Sequence, residues 1–136
     1  MRPRSRSSVS AFILVALCAC TPGPNDAALC ADIASGSSGA EVIADGTVAQ
    51  LLGTSSGASG EHEGFVLRLG SACRATLRVE TNVSFTGPIP LRTGESVVVK
   101  GEYDRDPDGD VIHFTHRELR GHHPGGYVEA GGTYYW

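Results

Sequence analysis

Downstream of residue 40, apolar and polar residues alternate in five stretches, the period of strands buried on one face. Val42 to Leu52 reads as a long first strand. Gly64 to Leu69 sets Phe65, Leu67 and Leu69 on one face and Val66 and Arg68 on the other. Arg74 to Val79 repeats this, with Ala75, Leu77 and Val79 against Arg74, Thr76 and Arg78. Ser96 to Tyr103 is a β-branched fourth strand and Asp110 to Thr115 a fifth. The polar run Gly53 to Gly60 predicts a flexible link between the first two strands, and Pro88 and Pro90 forbid regular pairing ahead of the fourth. Tyr127 to Trp136 predicts a terminal hairpin turning at Gly131-Gly132. Upstream, Asp26 is placed to cap a short helix over Ala27 to Ala34, which Ser35 to Gly39 break.

These elements predict an all-β fold: a small OB-like five-stranded barrel with a short N-terminal helix and a C-terminal hairpin. The helix usual between strands three and four of such a barrel is expected to be replaced by an irregular loop. A generic small barrel or open roll fits the same periodicity.

The first nineteen residues stand apart. Arg2, Arg4 and Arg6 make a basic start, and Val9 to Ala19 form an apolar run too short to span a membrane. Leu17-Cys18-Ala19-Cys20 resembles a bacterial lipobox, which predicts a signal peptide over 1–19 and lipidation of Cys20. A secretory peptide cut without lipidation is the alternative. The chain then divides into a tether with a short helix over 20–40 and the OB-like domain over 41–136. The expected place is the bacterial cell envelope, lipid-anchored at the periplasmic or outer-membrane face, with the membrane itself as one partner.

Processing changes the charge. Three of the eleven basic residues leave with residues 1–19 and no acid does, so eight face 15 acids, a net −7 with neutral His. Only Arg68, Arg74 and Arg78 could form a basic strip, so nucleic acid is not an expected partner. Of four Cys, Cys30 and Cys73 remain beside the signal and the anchor, which predicts one disulfide.

The segments Gly101-Glu102-Tyr103, Val111-Ile112-His113-Phe114-Thr115-His116-Arg117 and Gly121-His122-His123-Pro124-Gly125-Gly126-Tyr127 are similar to those of the small exported bacterial family known as domain of unknown function 3465. The similarity runs from about Glu41 to the C-terminus. Matching positions include His62, Phe65, Asn82, Glu102, Tyr103, His113, Thr115, His116, His123 and Gly126. Thr81 stands where the family pattern has His, and His122 where Arg is usual. The resemblance implies a fold and a location and carries no activity.

Four of the five histidines fall between His113 and His123, with His62 available from the second strand. A zinc or other transition-metal site needs three or four ligands converging at about 2 Å, and His113, His116 and His123 are the candidates. In a regular strand His113 and His116 would face opposite ways, so a bulge or strand end near Thr115 is required. The structural alternative is that these rings hydrogen-bond loop carbonyls and pin the C-terminal segment. His62, Asn82, Glu102, Tyr103, Thr115 and Tyr127 are the binding candidates, for a small-molecule or protein ligand. Glu102 and His113 would form the acid/base pair of a small hydrolase if strands four and five bring them together, and a small metallohydrolase would use the His113, His116 and His123 cluster.

The acidic run Asp104 to Asp110 has the first positions of a calcium loop. It lacks the terminal Glu and the flanking helices, and Pro107-Asp108-Gly109 is a turn signature. No serine nucleophile motif, phosphate loop or HExxH is present.

Overall fold

A computed structural model describes residues 23–70 and 73–136. The signal peptide expected over 1–19 and the lipidation expected at Cys20 lie outside the described residues. The elements are helix α1 (Asp26–Ser35), strands β1 (Ala40–Gly57), β2 (Gly60–Leu69) and β3 (Thr76–Asn82), helix α2 (Val83–Thr86), and strands β4 (Ser96–Asp104), β5 (Val111–His113), β6 (Tyr127–Ala130) and β7 (Thr133–Tyr135).

The described strands form one sheet in the order β1-β2-β3-β5-β4-β6-β7, and β1 also pairs with β4. Strands β1, β2, β3, β5 and β4 therefore close into a ring, with β6 and β7 extending from β4. Closure depends on the length of β1, whose Ala40–Thr47 half pairs with β4 while Gly46–Gly57 pairs with β2. Two register shifts in the second half, at Val48/Gln50 and Leu51/Gly53, bend the strand between partners. Every pairing in the ring is antiparallel except β3 with β5.

The alternation seen in the sequence fills the ring. Phe65, Leu67 and Leu69 of β2, Leu77 and Val79 of β3, Val97 and Val99 of β4 and Ile112 of β5 are buried, and Leu29 of α1, Ile89 and Leu91 join them. Ala75 packs against this core. A Cys30–Cys73 disulfide fastens α1 to the segment ahead of β3.

Several expected boundaries move. Gly53 to Gly60 is not a flexible link, because β1 and β2 stay paired to Gly57↔Gly60 and Asn82 Nδ2 donates to the Ser59 carbonyl (2.7 Å) under the tip. The cap of α1 is Asn25, whose side chain accepts from the Ala28 amide. Asp26 instead turns inward, accepting from the Asp45 amide (3.1 Å), and burial raises its pKa above the usual carboxylate range. Arg74, at a left-handed φ of 52°, cannot begin a strand, so β3 starts at Thr76. The stretch before β4 is not wholly irregular: one turn, α2, forms where Asn82 caps it by accepting from the Ser84 amide. The terminal hairpin turns at Gly131-Gly132 as expected.

Candidate functional site

One cleft of about 1030 Å³ gathers the chemistry of the molecule. Its walls are the β1–β2 tip, the end of β3, α2, the facing parts of β4 and β5, and the segment leaving β5. All five histidines line it, as do Asn82 and Glu102. Tyr103, Thr115 and Tyr127 do not. The Tyr103 side chain is buried, with its hydroxyl donating to Asp110 (2.9 Å), and burial, then that carboxylate, pushes its pKa up to about 12. Buried Thr115 donates to the Glu80 carbonyl (3.0 Å), tying the outgoing chain to β3, and Tyr127 packs edge-on against Tyr134.

The strand end required by the histidine spacing is present. β5 stops at His113 because Phe114 has φ 55°, a left-handed conformation that ends the ladder and lets His116 join His113 on the cleft. The three histidines nevertheless do not surround one point. His113 and His123 each stack on Phe114, at centroid distances of 4.0 and 4.1 Å, so the phenyl ring lies between them. His116 stacks on Phe85 of α2 (4.7 Å) and meets His123 edge-on (5.1 Å). The result is a run of rings, not a chelate.

His116 Nδ1 lies 2.9 Å from the Arg117 carbonyl, which makes Nδ1 the donor. His123 has acceptors on both sides, the Pro124 carbonyl at Nδ1 (2.9 Å) and Glu118 Oε2 at Nε2 (3.0 Å). Glu118 is held below the usual carboxylate range first by the Arg120 amide and then by the charges of His123 and His122.

Strands β5 and β6 occupy one edge of β4 end to end: β6 covers Val97 to Lys100 and β5 covers Glu102 to Asp104. Residues 114–126 leave and re-enter at that junction, and the Gly126 amide donates to the His116 carbonyl (2.8 Å) across the base of the excursion. Nothing larger than glycine fits there. A Cβ on Gly126 would stand 2.3 Å from both the Lys100 and Phe114 carbonyl oxygens, and one on Gly101 would stand 2.3 Å from that of His113. The shared motif thus encodes a junction and the loop it launches. The family model described as Protein of unknown function (DUF3465) matches residues 12–136. The chain belongs to this family. A search of curated proteins and a search of solved structures each found no match.

In this DUF3465 protein a second group, only partly visible in the sequence, stands on the strands. Glu102 of β4 pairs in register with His113 of β5, and Asp104, two residues on, shares its face. His113 Nε2 is 2.6 Å from Asp104 Oδ2, and ligand atoms of Glu102, Asp104 and His113 all lie within 4.8 Å of one another. Ser38 donates to Asp104 Oδ1 (2.7 Å), and this bond leads in holding Asp104 below the usual carboxylate range, with His113 adding to it against the opposing effect of burial. Asp104 carried no signal of its own because it opens the acidic turn. That turn is a hairpin connection: Asp106 accepts from the Asp108 amide (2.8 Å) and pairs with Arg78, and Asp110 serves Tyr103. Arg78 is thereby engaged with acids, which leaves Arg68 and Arg74 without the third member of a basic strip.

Proposed function

We propose that this protein is an exported, lipid-anchored binding module, that its closed ring is an OB-type barrel, and that it takes a small polar ligand in the histidine-lined cleft. The carrying observation is the convergence of four separate stretches of the chain, with all five histidines, on one cleft. The strand order β1-β2-β3-β5-β4, with β3 and β5 parallel, supports the barrel reading. The basic start, the short apolar run and Leu17 to Cys20 support export and anchoring, and the Cys30–Cys73 disulfide fits an oxidising compartment. Glu80, Glu102 and Glu118 outnumber Arg117 and Arg120 around the cleft, which disfavours a phosphate backbone as the ligand.

The test is a titration of the processed, ¹⁵N-labelled protein with the low-molecular-weight fraction of an envelope extract from the parent cells. Amide shifts confined to the cleft at Ser59, His62, Phe114, His116 and His123 are expected. An absence of shifts, or shifts confined to β6 and β7, would overturn the binding reading. Cys20→Ser is expected to abolish lipid labelling, and continued membrane attachment by that variant would overturn the anchor.

A further inference from the structure

We propose that Glu102, Asp104 and His113 form a site for a divalent transition metal of the zinc type on the floor of the cleft. This deepens the binding reading of the same cleft by naming its ligand class. Three observations carry it. The first is convergence: one imidazole nitrogen and two carboxylates, within 4.8 Å of one another, form a nitrogen and oxygen donor set suited to zinc. The second is the absence, among the described residues, of a Lys or Arg paired with either Glu102 or Asp104. Two carboxylates facing one histidine from the same strand repel each other, and a bound cation removes that repulsion. The third is support from behind. Ser38 fixes Asp104 Oδ1 and leaves Oδ2 directed at His113, while the Phe114 ring holds the plane of the imidazole. Such outer contacts orient the ligands of metal sites.

The donors sit on paired strands, so their spacing is set by register. Glu102 and His113 line the cleft, and Asp104 reaches them from beside it, so the remaining coordination positions are left to water or to a ligand entering the cleft.

The test uses the processed protein, stripped with chelator, with folding of every variant verified by circular dichroism. Zn²⁺ is added in a calorimeter and Co²⁺ in a spectrophotometer. One equivalent is expected to bind. His113→Ala and Glu102→Gln are each expected to bind at least about 100-fold more weakly, since loss of an outer contact alone costs about 10–100-fold. Ser38→Ala, which removes a positioning residue, is expected to weaken binding about 10-fold. Asp108→Asn, in the neighbouring acidic turn, is expected to leave the isotherm unchanged. No zinc uptake by the folded wild type overturns the proposal. So does loss in His116→Ala with retention in Glu102→Gln, which assigns the ion to the loop histidines, or loss in Asp108→Asn, which assigns it to the turn. The two proposals fail separately: zinc binding without extract-induced shifts removes the organic ligand and keeps the metal, and the reverse removes the metal alone.

Discussion

His113 and His123 stack on opposite sides of one phenyl ring and are held by unlike means. His113 is a strand residue. Its place is fixed by pairing with Glu102, and its partner Asp104 is fixed in turn by Ser38 from the far end of the sequence. His123 and His116 belong to the 114–126 excursion, and their Nδ1 bonds reach only the next residue's carbonyl. Local bonds of this kind orient a ring without tying it to the domain. The excursion is tied instead at its base, by Gly126 and Thr115, and through Phe85 and Phe114. Register delivers a rigid donor set, whereas a loop delivers a movable wall. The two halves of the cleft are therefore expected to respond differently to the same insult.

The largest effect expected is global. The Cys30–Cys73 disulfide spans a sequence separation of 43 residues. Replacing both cysteines by serine should cost about 4 kcal/mol in the loop-entropy model, read as a lower urea midpoint for the whole ring. An unchanged midpoint would mean that the cross-link adds nothing to ring stability beyond the packing of α1.

Gly126→Ala comes next, at about 3 kcal/mol, because the added methyl meets the Lys100 carbonyl of β4 on one side and the Phe114 carbonyl at the base of the excursion on the other. Hydrogen exchange should show the excursion opening before the ring. Equal loss of protection in both would erase the distinction between wall and frame.

A smaller effect isolates the ring stack. A double-mutant cycle on Phe114→Leu and His123→Ala should give a coupling of about 1 kcal/mol in denaturant unfolding. Additivity would make the excursion independent of the strand site.

The smallest effect is in the acid range. Asp104 has a folded-state pKa below the ordinary value, led by the Ser38 bond. Its contribution is therefore complete above the unfolded carboxylate pKa and is lost as pH falls through the folded one. Ser38→Ala should lower the thermal midpoint modestly at neutral pH and converge on the wild type in acid. A difference that persisted in acid would assign Ser38 a role other than holding this carboxylate.

What could be read from the chain follows the same division. Alternation in β2, β3 and β4 was legible because one face of each is buried, and the His113 to His116 spacing demanded a strand end that Phe114 supplies. The paired Gly and Ser residues at the β1–β2 tip were not legible. Their side chains are exposed, and the ladder there is held by backbone and by Asn82, a residue distant in sequence. Asp104 was hidden in an acidic turn whose other members serve the turn itself. Tyr103 and Thr115 share the motif with cleft residues yet are buried away from the cleft, because motif membership does not separate a buried anchor from a lining residue. The ring of Phe114, on which His113 and His123 both stack, is a feature of the histidine cluster that no spacing rule reveals.

The junction on β4 has a consequence for how such a protein can diversify. Because the excursion leaves and returns at one point, its two ends are already neighbours, and the entropy of closing a longer or shorter loop there changes only slowly with length. Residues 117–125 are in that sense a replaceable cassette. Exchanging them would rewrite the wall carrying Glu118, His122 and His123 without shifting any register in the ring. The Glu102, Asp104 and His113 frame would persist beneath whatever new surface was installed.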